Sequence, residues 1–300
     1  MTRSRLLLCT DLDRTLIPNG MQPESPGARE LFARLSNRPE VTLVYVTGRH
    51  RQLVADAVSR YQLPPPDLVI SDVGTRIYTI QGLDWQVWTA WEEEVHASWS
   101  TKDPAAIHAL FGDLPALRLQ EEAKQSCHKL SYYVELHHDH GAVIMEMERR
   151  LREHGIKSSL VWSVDETSAI GLLDVLPENA TKLHAIRFIK DRLGFSLEET
   201  VFAGDSGNDL SVLASEIQAV LVANADDSVR RQALIQAQEN GHSKALYLAQ
   251  GGVLGLNGNY GSGILEGVLH YLPAAASWLP APIHNDAMPA DHRSKTEDLS

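Results

Sequence analysis

The chain has 300 residues, and 27 Lys plus Arg against 39 Asp plus Glu give it a formal net charge of −12. That balance excludes a duplex-binding surface, which needs clustered cations to displace counterions from phosphates. It leaves room for a small anionic substrate, because a bound cation or two local basic residues invert the field inside one cleft. No stretch approaches the ~18 apolar residues of a membrane helix. The opening apolar run Leu6 to Cys9 is cut by Asp11 and Asp13, too short for a secretion signal. Cys9 and Cys127 cannot build a disulfide framework. A cytoplasmic protein without nucleic-acid or membrane partners is expected.

In chain order, Leu6 to Cys9 reads as a short strand ending in a turn, and Glu24 to Leu35 as a helix with Pro26 in its first turn. Val41 to Val46 is a β-branched strand, Arg49 to Tyr61 an amphipathic helix, and Leu68 to Ile70 a third strand. Short apolar strands alternating with helices predict a parallel sheet wound by right-handed crossovers. The alternation returns with helix Lys182 to Arg192, strand Val201 to Ala203, helix Asp209 to Ser215 and strand Ala219 to Val222. Between them, five of the six tryptophans and looser strand signals mark an inserted domain. It carries strands at Lys129 to Leu136, Ser158 to Trp162 and Ile170 to Val175, and a helix at Ala142 to His154. The predicted fold is α/β: a Rossmann-like, doubly wound parallel core over residues 1–80 and 174–273, with an α+β cap over 81–173. A disordered Pro/Ala-rich and then polar tail is expected over 274–300.

Four segments carry chemistry. Asp11 and Asp13, two residues apart, directly follow the first strand, and the carboxyl end of a parallel strand is where ligands bind. Alone the segment reads equally as an Asp-rich turn. A calcium loop is excluded, for Leu16 stands at its sixth position and Gln22 at its twelfth. Thr47-Gly48-Arg49 brings a hydroxyl and backbone amides to a strand end that opens a helix, a setting suited to an anion, though Thr there also caps helices. Lys182 lies near a helix start, where the dipole disfavours a cation, unless it is simply a surface lysine. Gly204-Asp205-Ser206-Gly207-Asn208-Asp209 follows another strand with carboxylates four apart among small residues. Taken in this order, all at strand ends, the segments supply two carboxylates, a hydroxyl, an ammonium and an acidic loop suited to Mg²⁺, the set that phosphoryl transfer asks for.

These segments resemble motifs I to IV of the haloacid dehalogenase superfamily of phosphohydrolases. Motif I is met by Asp11, Asp13 and Thr15, motif II by Thr47, motif III by Lys182, and motif IV by Gly204, Asp205 and Asp209. Together with Lys129-Leu130-Ser131-Tyr132 in the insert and Asp72-Val73-Gly74-Thr75, the motif IV loop is similar to that of sucrose-phosphate phosphatases. Mannosylfructose-phosphate phosphatases share much of this pattern. Leu183 departs from the glycine often found after the lysine, and Asn257 to Gly263 is unusually rich in glycine.

The resemblance implies a Mg²⁺-dependent phosphatase acting on a sugar phosphate, most closely sucrose-6-phosphate. In it Asp11 attacks phosphorus and Asp13 is the general acid and base. Mg²⁺ is held by the Asp11 carboxylate, the Asp13 main-chain carbonyl and Asp205, while Asp209 orients metal-bound water with Asn208 in support. Thr47, Gly48, Arg49 and Lys182 face the phosphate. His50 and Lys129 are candidate substrate contacts, against a first-turn residue and a packing lysine. Trp85, Trp88 and Trp91 read as one packed helix face rather than a sugar-stacking set, and His137-His138-Asp139-His140 as a strand-to-helix turn rather than a transition-metal site. A phosphomutase and a non-catalytic sugar-phosphate-binding domain are the alternatives, and association with a sugar-phosphate synthase is left open.

Overall fold

The computed structural model describes residues 5–82, 84–99, 103–165 and 168–279. Its strands are β1 (Leu6–Thr10), β2 (Val41–Val46), β3 (Leu68–Ser71), β4 (Arg76–Gln81), β5 (Asp84–Val87), β6 (Arg118–Leu119), β7 (Leu130–Val134), β8 (Ser158–Asp165), β9 (Ile170–Pro177), β10 (Thr200–Gly204), β11 (Gln218–Leu221) and β12 (Leu246–Leu248). Its helices are α1 (Ala28–Ser36), α2 (Arg51–Tyr61), α3 (Thr89–His96), α4 (Pro104–Ala109), α5 (His140–Glu153), α6 (Lys182–Leu193), α7 (Leu210–Leu213), α8 (Asp227–Glu239) and α9 (Gly261–Tyr271).

Eight strands make one sheet in the order β12-β11-β10-β1-β2-β3-β4-β5. The six from β12 to β3 are parallel, and β4 and β5 add an antiparallel hairpin at one edge. Strand alternation sends successive residues to opposite faces, and here both faces are covered. Leu6 and Leu8 join a core under α1, α2 and α9, while Leu7 and Cys9 join the core under α3, α6, α7 and α8. Every residue of β1 is therefore buried, which is why that segment reads as a continuous apolar run. Register then sets the chemistry. Thr10 lies opposite both Ala203 and Tyr45, so Asp11, Asp205 and Thr47 emerge side by side from the ends of β1, β10 and β2.

The second sheet, β6-β7-β9-β8, is antiparallel. Leu130, Tyr132 and Val134 of β7 and Leu173 and Val175 of β9 turn to a core shared with Met147 and Leu151 of α5 and with Ile107 of α4. The alternate residues Ser131 and Asp174 face away from that core, paired across the ladder with the Ser131 hydroxyl donating to Asp174 at 2.6 Å.

Several expectations shift. The hairpin β4–β5 and helix α3 lie on the large sheet beyond residue 80, and β9 stays in the small sheet to Pro177, past the division placed at 174. Helix α1 begins at Ala28, four residues late, because the preceding Gly27 sits at φ 79, outside helical space. The three tryptophans do not share a helix. Trp85 is on β5 edge-on to Tyr78, Trp88 precedes α3, and only Trp91 is helical, its indole N–H donating to the Gly74 carbonyl at 3.1 Å. Across the start of the expected tail, residues 273–278 form a 3₁₀ turn with Ala275 and Leu279 buried against the large-sheet core; the rest of that expectation, from 280 on, lies outside the described residues. Among the described residues no helix is long and apolar enough to cross a membrane.

Candidate active site

The three strand ends bring buried polar groups together where a core normally excludes them. Lys182, the first residue of α6, is 1% exposed, and its Nζ donates to Asp11 Oδ1 at 3.0 Å, Asp209 Oδ1 at 2.7 Å and Asn208 Oδ1 at 3.0 Å. The Thr181 hydroxyl caps α6 by accepting from the His184 N–H, so the lysine is aimed by a defined helix start. Asp209 also binds its own loop, since Oδ2 accepts from the N–H groups of Asp205 and Ser206 and from the Ser206 hydroxyl, at 3.1 to 3.2 Å. That closure needs glycine at 204, where a Cβ would lie 2.6 Å from Asp209 Cγ. Asp205 is held by the Thr15 hydroxyl, donating to Oδ1 at 3.1 Å, and by Arg14 Nε, 3.2 Å from Oδ2.

Carboxylate oxygens of Asp11, Asp205 and Asp209 all lie within 4.8 Å of one another. Burial pushes the Asp11 carboxyl up to about 8, with Asp209 and Asp205 adding to the rise and Lys182 pulling against it. Burial likewise raises Asp205, to about 6, with Asp209 next in effect. Lys182 is raised despite burial, because Asp11 and Asp209 hold its charge. Three crowded carboxylates facing one buried lysine form a hard-oxygen donor set that still lacks positive charge, and a divalent cation such as Mg²⁺ fits it.

Asp13 lies outside this cluster. Arg49 grips it in bidentate fashion at 2.6 and 2.7 Å, and Asn19 donates to it at 2.8 Å. Burial pushes Asp13 up, but the hydrogen bonds and charge of Arg49, with Asn19, hold its carboxyl below the ordinary value. Thr47 is buried, and its hydroxyl accepts from the Arg49 N–H at 3.2 Å.

Over these groups the small sheet leaves a cavity of about 800 Å³. Gly48, His50 and Asn208 line it from below, and Lys129, Gln120, Lys124, Trp162 and Asp174 line it from above. Lys129 Nζ spans the two sheets, 3.8 Å from Asp72 and 3.4 Å from Asp174. Trp85, Trp88 and Trp91 do not line this cavity. The tryptophan that does is Trp162, stacked on His140 with ring centroids 4.5 Å apart. In the histidine run, Asp139 caps α5 by accepting from the Ala142 N–H. The glycine-rich approach to α9 serves the loop after Asp13. There Asn257 and Asn259 donate to the Pro23 carbonyl and the Tyr260 hydroxyl to that of Gln22.

Sequence reasoning passed over Arg14, Asn19 and Ser206. Arg14 and Asn19 stand within or just after the Asp11–Thr15 segment, yet nothing in their spacing told that they would turn onto Asp205 and Asp13. Trp162 and Gln120 carried no local signal at all.

A parallel sheet with clustered acids at its carboxyl end, beneath a second sheet, defines a haloacid dehalogenase-like phosphohydrolase. Within that class the chain belongs to the sucrose-6F-phosphate phosphohydrolase family, whose family model matches residues 4–272. It is 50% identical over 277 residues to an HAD-like hydrolase of Nitrosococcus oceani, covering 92% of this chain and 74% of that one. It is 30% identical over 223 residues to the mannosylfructose-phosphate phosphatase of Agrobacterium fabrum, covering 73% of this chain and 83% of the relative. Among solved structures it is similar to the sucrose-phosphatase of Synechocystis in complex with sucrose and phosphate, at TM-score 0.68 and 25% identity over 90% of this chain and 98% of that one. The chain spans about half the length of the plant sucrose-phosphatases that it also matches.

Proposed function

We propose that this chain is a Mg²⁺-dependent phosphatase of disaccharide phosphates, acting on sucrose-6-phosphate in the cytoplasm as a step of sucrose formation. One observation carries the reading: Lys182 joins Asp11 to the Asp205–Asp209 loop beneath a cavity of about 800 Å³ into which His50, Gln120, Lys129 and Asp174 bring polar groups. The site has room for a sugar above the place where a phosphate would lie, and family membership supports the substrate class.

Asp11, Asp205 and the Asp13 main-chain carbonyl would hold Mg²⁺, which supplies the charge that lets a carboxylate approach a phosphate dianion. Asp11 Oδ attacks phosphorus, the bond from phosphorus to the sugar oxygen breaks, and Asp13 gives that oxygen its proton. The Asp11 aspartyl-phosphate is then cleaved by a water that loses its proton to Asp13. Arg49 keeps Asp13 ionised, the form this second half-reaction needs. To act as the acid, Asp13 leaves the guanidinium and takes up a proton from solvent, which it passes to the departing sugar oxygen, and the released Arg49 faces the phosphate. Thr47 and Lys182 bind the equatorial oxygens. Asp209, with both oxygens engaged by Lys182 and by loop amides, keeps the loop shut and the lysine aimed. His50 and Lys129 contact the sugar from opposite walls of the cavity.

Phosphate release with Mg²⁺ and with chelator, on sucrose-6-phosphate, mannosylfructose-phosphate, trehalose-phosphate and glucose-6-phosphate, tests the reading. Sucrose-6-phosphate should exceed glucose-6-phosphate in kcat/KM by about tenfold or more, a difference of ~1.4 kcal/mol. Equal rates across the panel overturn the substrate assignment. A preference for mannosylfructose-phosphate, the substrate in the name of the 30% relative, would replace the sugar and leave the chemistry standing.

A further inference from the structure

Apart from the acidic end of the large sheet, a second set of metal-ligating side chains meets at the seam between the two sheets. Donor atoms of Glu92, Cys127 and His128 all lie within 4.8 Å of one another. Glu92 is on α3, whose Trp91 and Val95 are buried in the large-sheet core. Cys127 and His128 sit in the turn that enters β7 of the small sheet. Cys127 Sγ is 3.4 Å from His128 Nδ1 and 3.8 Å from Glu92 Oε1. Zinc bonds of about 2.3 Å to sulfur and about 2.0 Å to nitrogen or oxygen, at a tetrahedral angle, place two ligand atoms roughly 3.6 Å apart. The separations are thus those of a ligand set. His96 stands one helical turn from Glu92 on the same side of α3, its ring centroid 5.6 Å from that of His128. Cys127 is exposed and His128 buried, so the cluster has an entrance from solvent and a fixed inner wall.

We propose that Glu92, Cys127 and His128, with His96 as fourth donor, form a binding site for a zinc-class dication that ties α3 to the turn before β7. Sulfur with imidazole selects zinc over magnesium, so this site and the all-oxygen cluster around Asp11 take different metals. Binding moves the Cys127 thiol proton to solvent as the sulfur–metal bond forms. Arg76 also faces the cluster, its Nη2 donating to Cys127 Sγ at 3.1 Å and its Nε 3.5 Å from Glu92 Oε1. The hydrogen bond to the thiol and the ion pair to the carboxylate orient these two side chains from outside the ligand set, as outer-shell partners of metal ligands do. The next residue, Lys129, reaches into the sugar-facing cavity, so the tie fixes the base of a substrate-facing side chain.

The test is a titration of chelator-stripped full-length protein with Co²⁺, read by the thiolate-to-cobalt charge-transfer absorption, followed by displacement with Zn²⁺ against a chromophoric chelator. One Co²⁺ per chain should give the thiolate band. Cys127→Ala should lose it and weaken Zn²⁺ binding by at least about tenfold, Glu92→Gln should weaken Zn²⁺ binding while circular dichroism stays native, and Asp11→Asn should keep the band. The proposal is overturned by a missing band in the unaltered protein, by a band that survives Cys127→Ala, or by Zn²⁺ binding that Asp11→Asn removes and Cys127→Ala does not. None of these readouts depends on which phosphate ester is hydrolysed.

Discussion

The end of the large sheet and the underside of the small sheet face one cavity but are built by opposite rules. At the large sheet Asp11, Thr47 and Asp205 each directly follow a parallel strand, Asp13, Arg49 and Asp209 lie three to five residues past one, Lys182 opens α6, and defined side-chain partners hold them. Lys182 is pinned by three acceptors and Asp13 by a bidentate arginine. Facing residues of the small sheet come from alternate positions along antiparallel strands, such as Asp174, and from the turn before them, such as Lys129, whose Nζ stands 3.4 and 3.8 Å from its carboxylate partners. The first region is preorganised by its partners; the second keeps its shape through the hydrophobic core behind it.

The contrast breaks first at Asp11. Asp11→Asn should lower phosphate release on the order of 10⁴-fold or more, as loss of a covalent nucleophile does, and substantial residual turnover with metal bound would remove Asp11 from its role. Lys182→Met leaves two buried carboxylates facing each other. It should cost about 3–5 kcal/mol of stability, read by urea unfolding, along with most activity.

Metal-free protein offers a third handle. Asp11, at about 8, and Asp205, at about 6, bind protons more tightly folded than unfolded. The stability they lend is complete below about pH 4 and is lost as pH rises through those values. In chelator the Tm should therefore fall between about pH 4 and 8, and Mg²⁺ should flatten the slope. A flat profile in chelator would mean that the carboxylates are not crowded as described.

On the other wall the effects are smaller. Lys129→Ala should raise KM for the disaccharide phosphate by about tenfold, ~1.4 kcal/mol, with kcat nearly unchanged, whereas an equal loss in kcat would make Lys129 part of the chemistry. Smallest of all, Trp85→Phe should leave KM unaltered, because Trp85 packs on Tyr78 outside the cavity, while Trp162→Ala should raise it.

Local pattern determined the alternating strands and helices, the parallel sheet that they form, and the emergence of Asp11, Thr47 and Asp205 at one end; Lys182 reaches them from the start of α6, after an antiparallel strand of the small sheet. A parallel strand buried on both faces is a short apolar run, and its exit must be a turn, so polar residues just past it are legible one by one. Tertiary structure alone decided who meets whom. It turned Arg14 onto Asp205 and Arg49 onto Asp13, kept Trp85 out of the cavity and set Trp162 in its wall, and folded Ala275 and Leu279 into the core where composition suggested disorder. The physical reason is range. Periodicity and turn chemistry act over a few residues, whereas the partners of a long charged or aromatic side chain are set by strands and turns far away in the chain, whose register no local window contains.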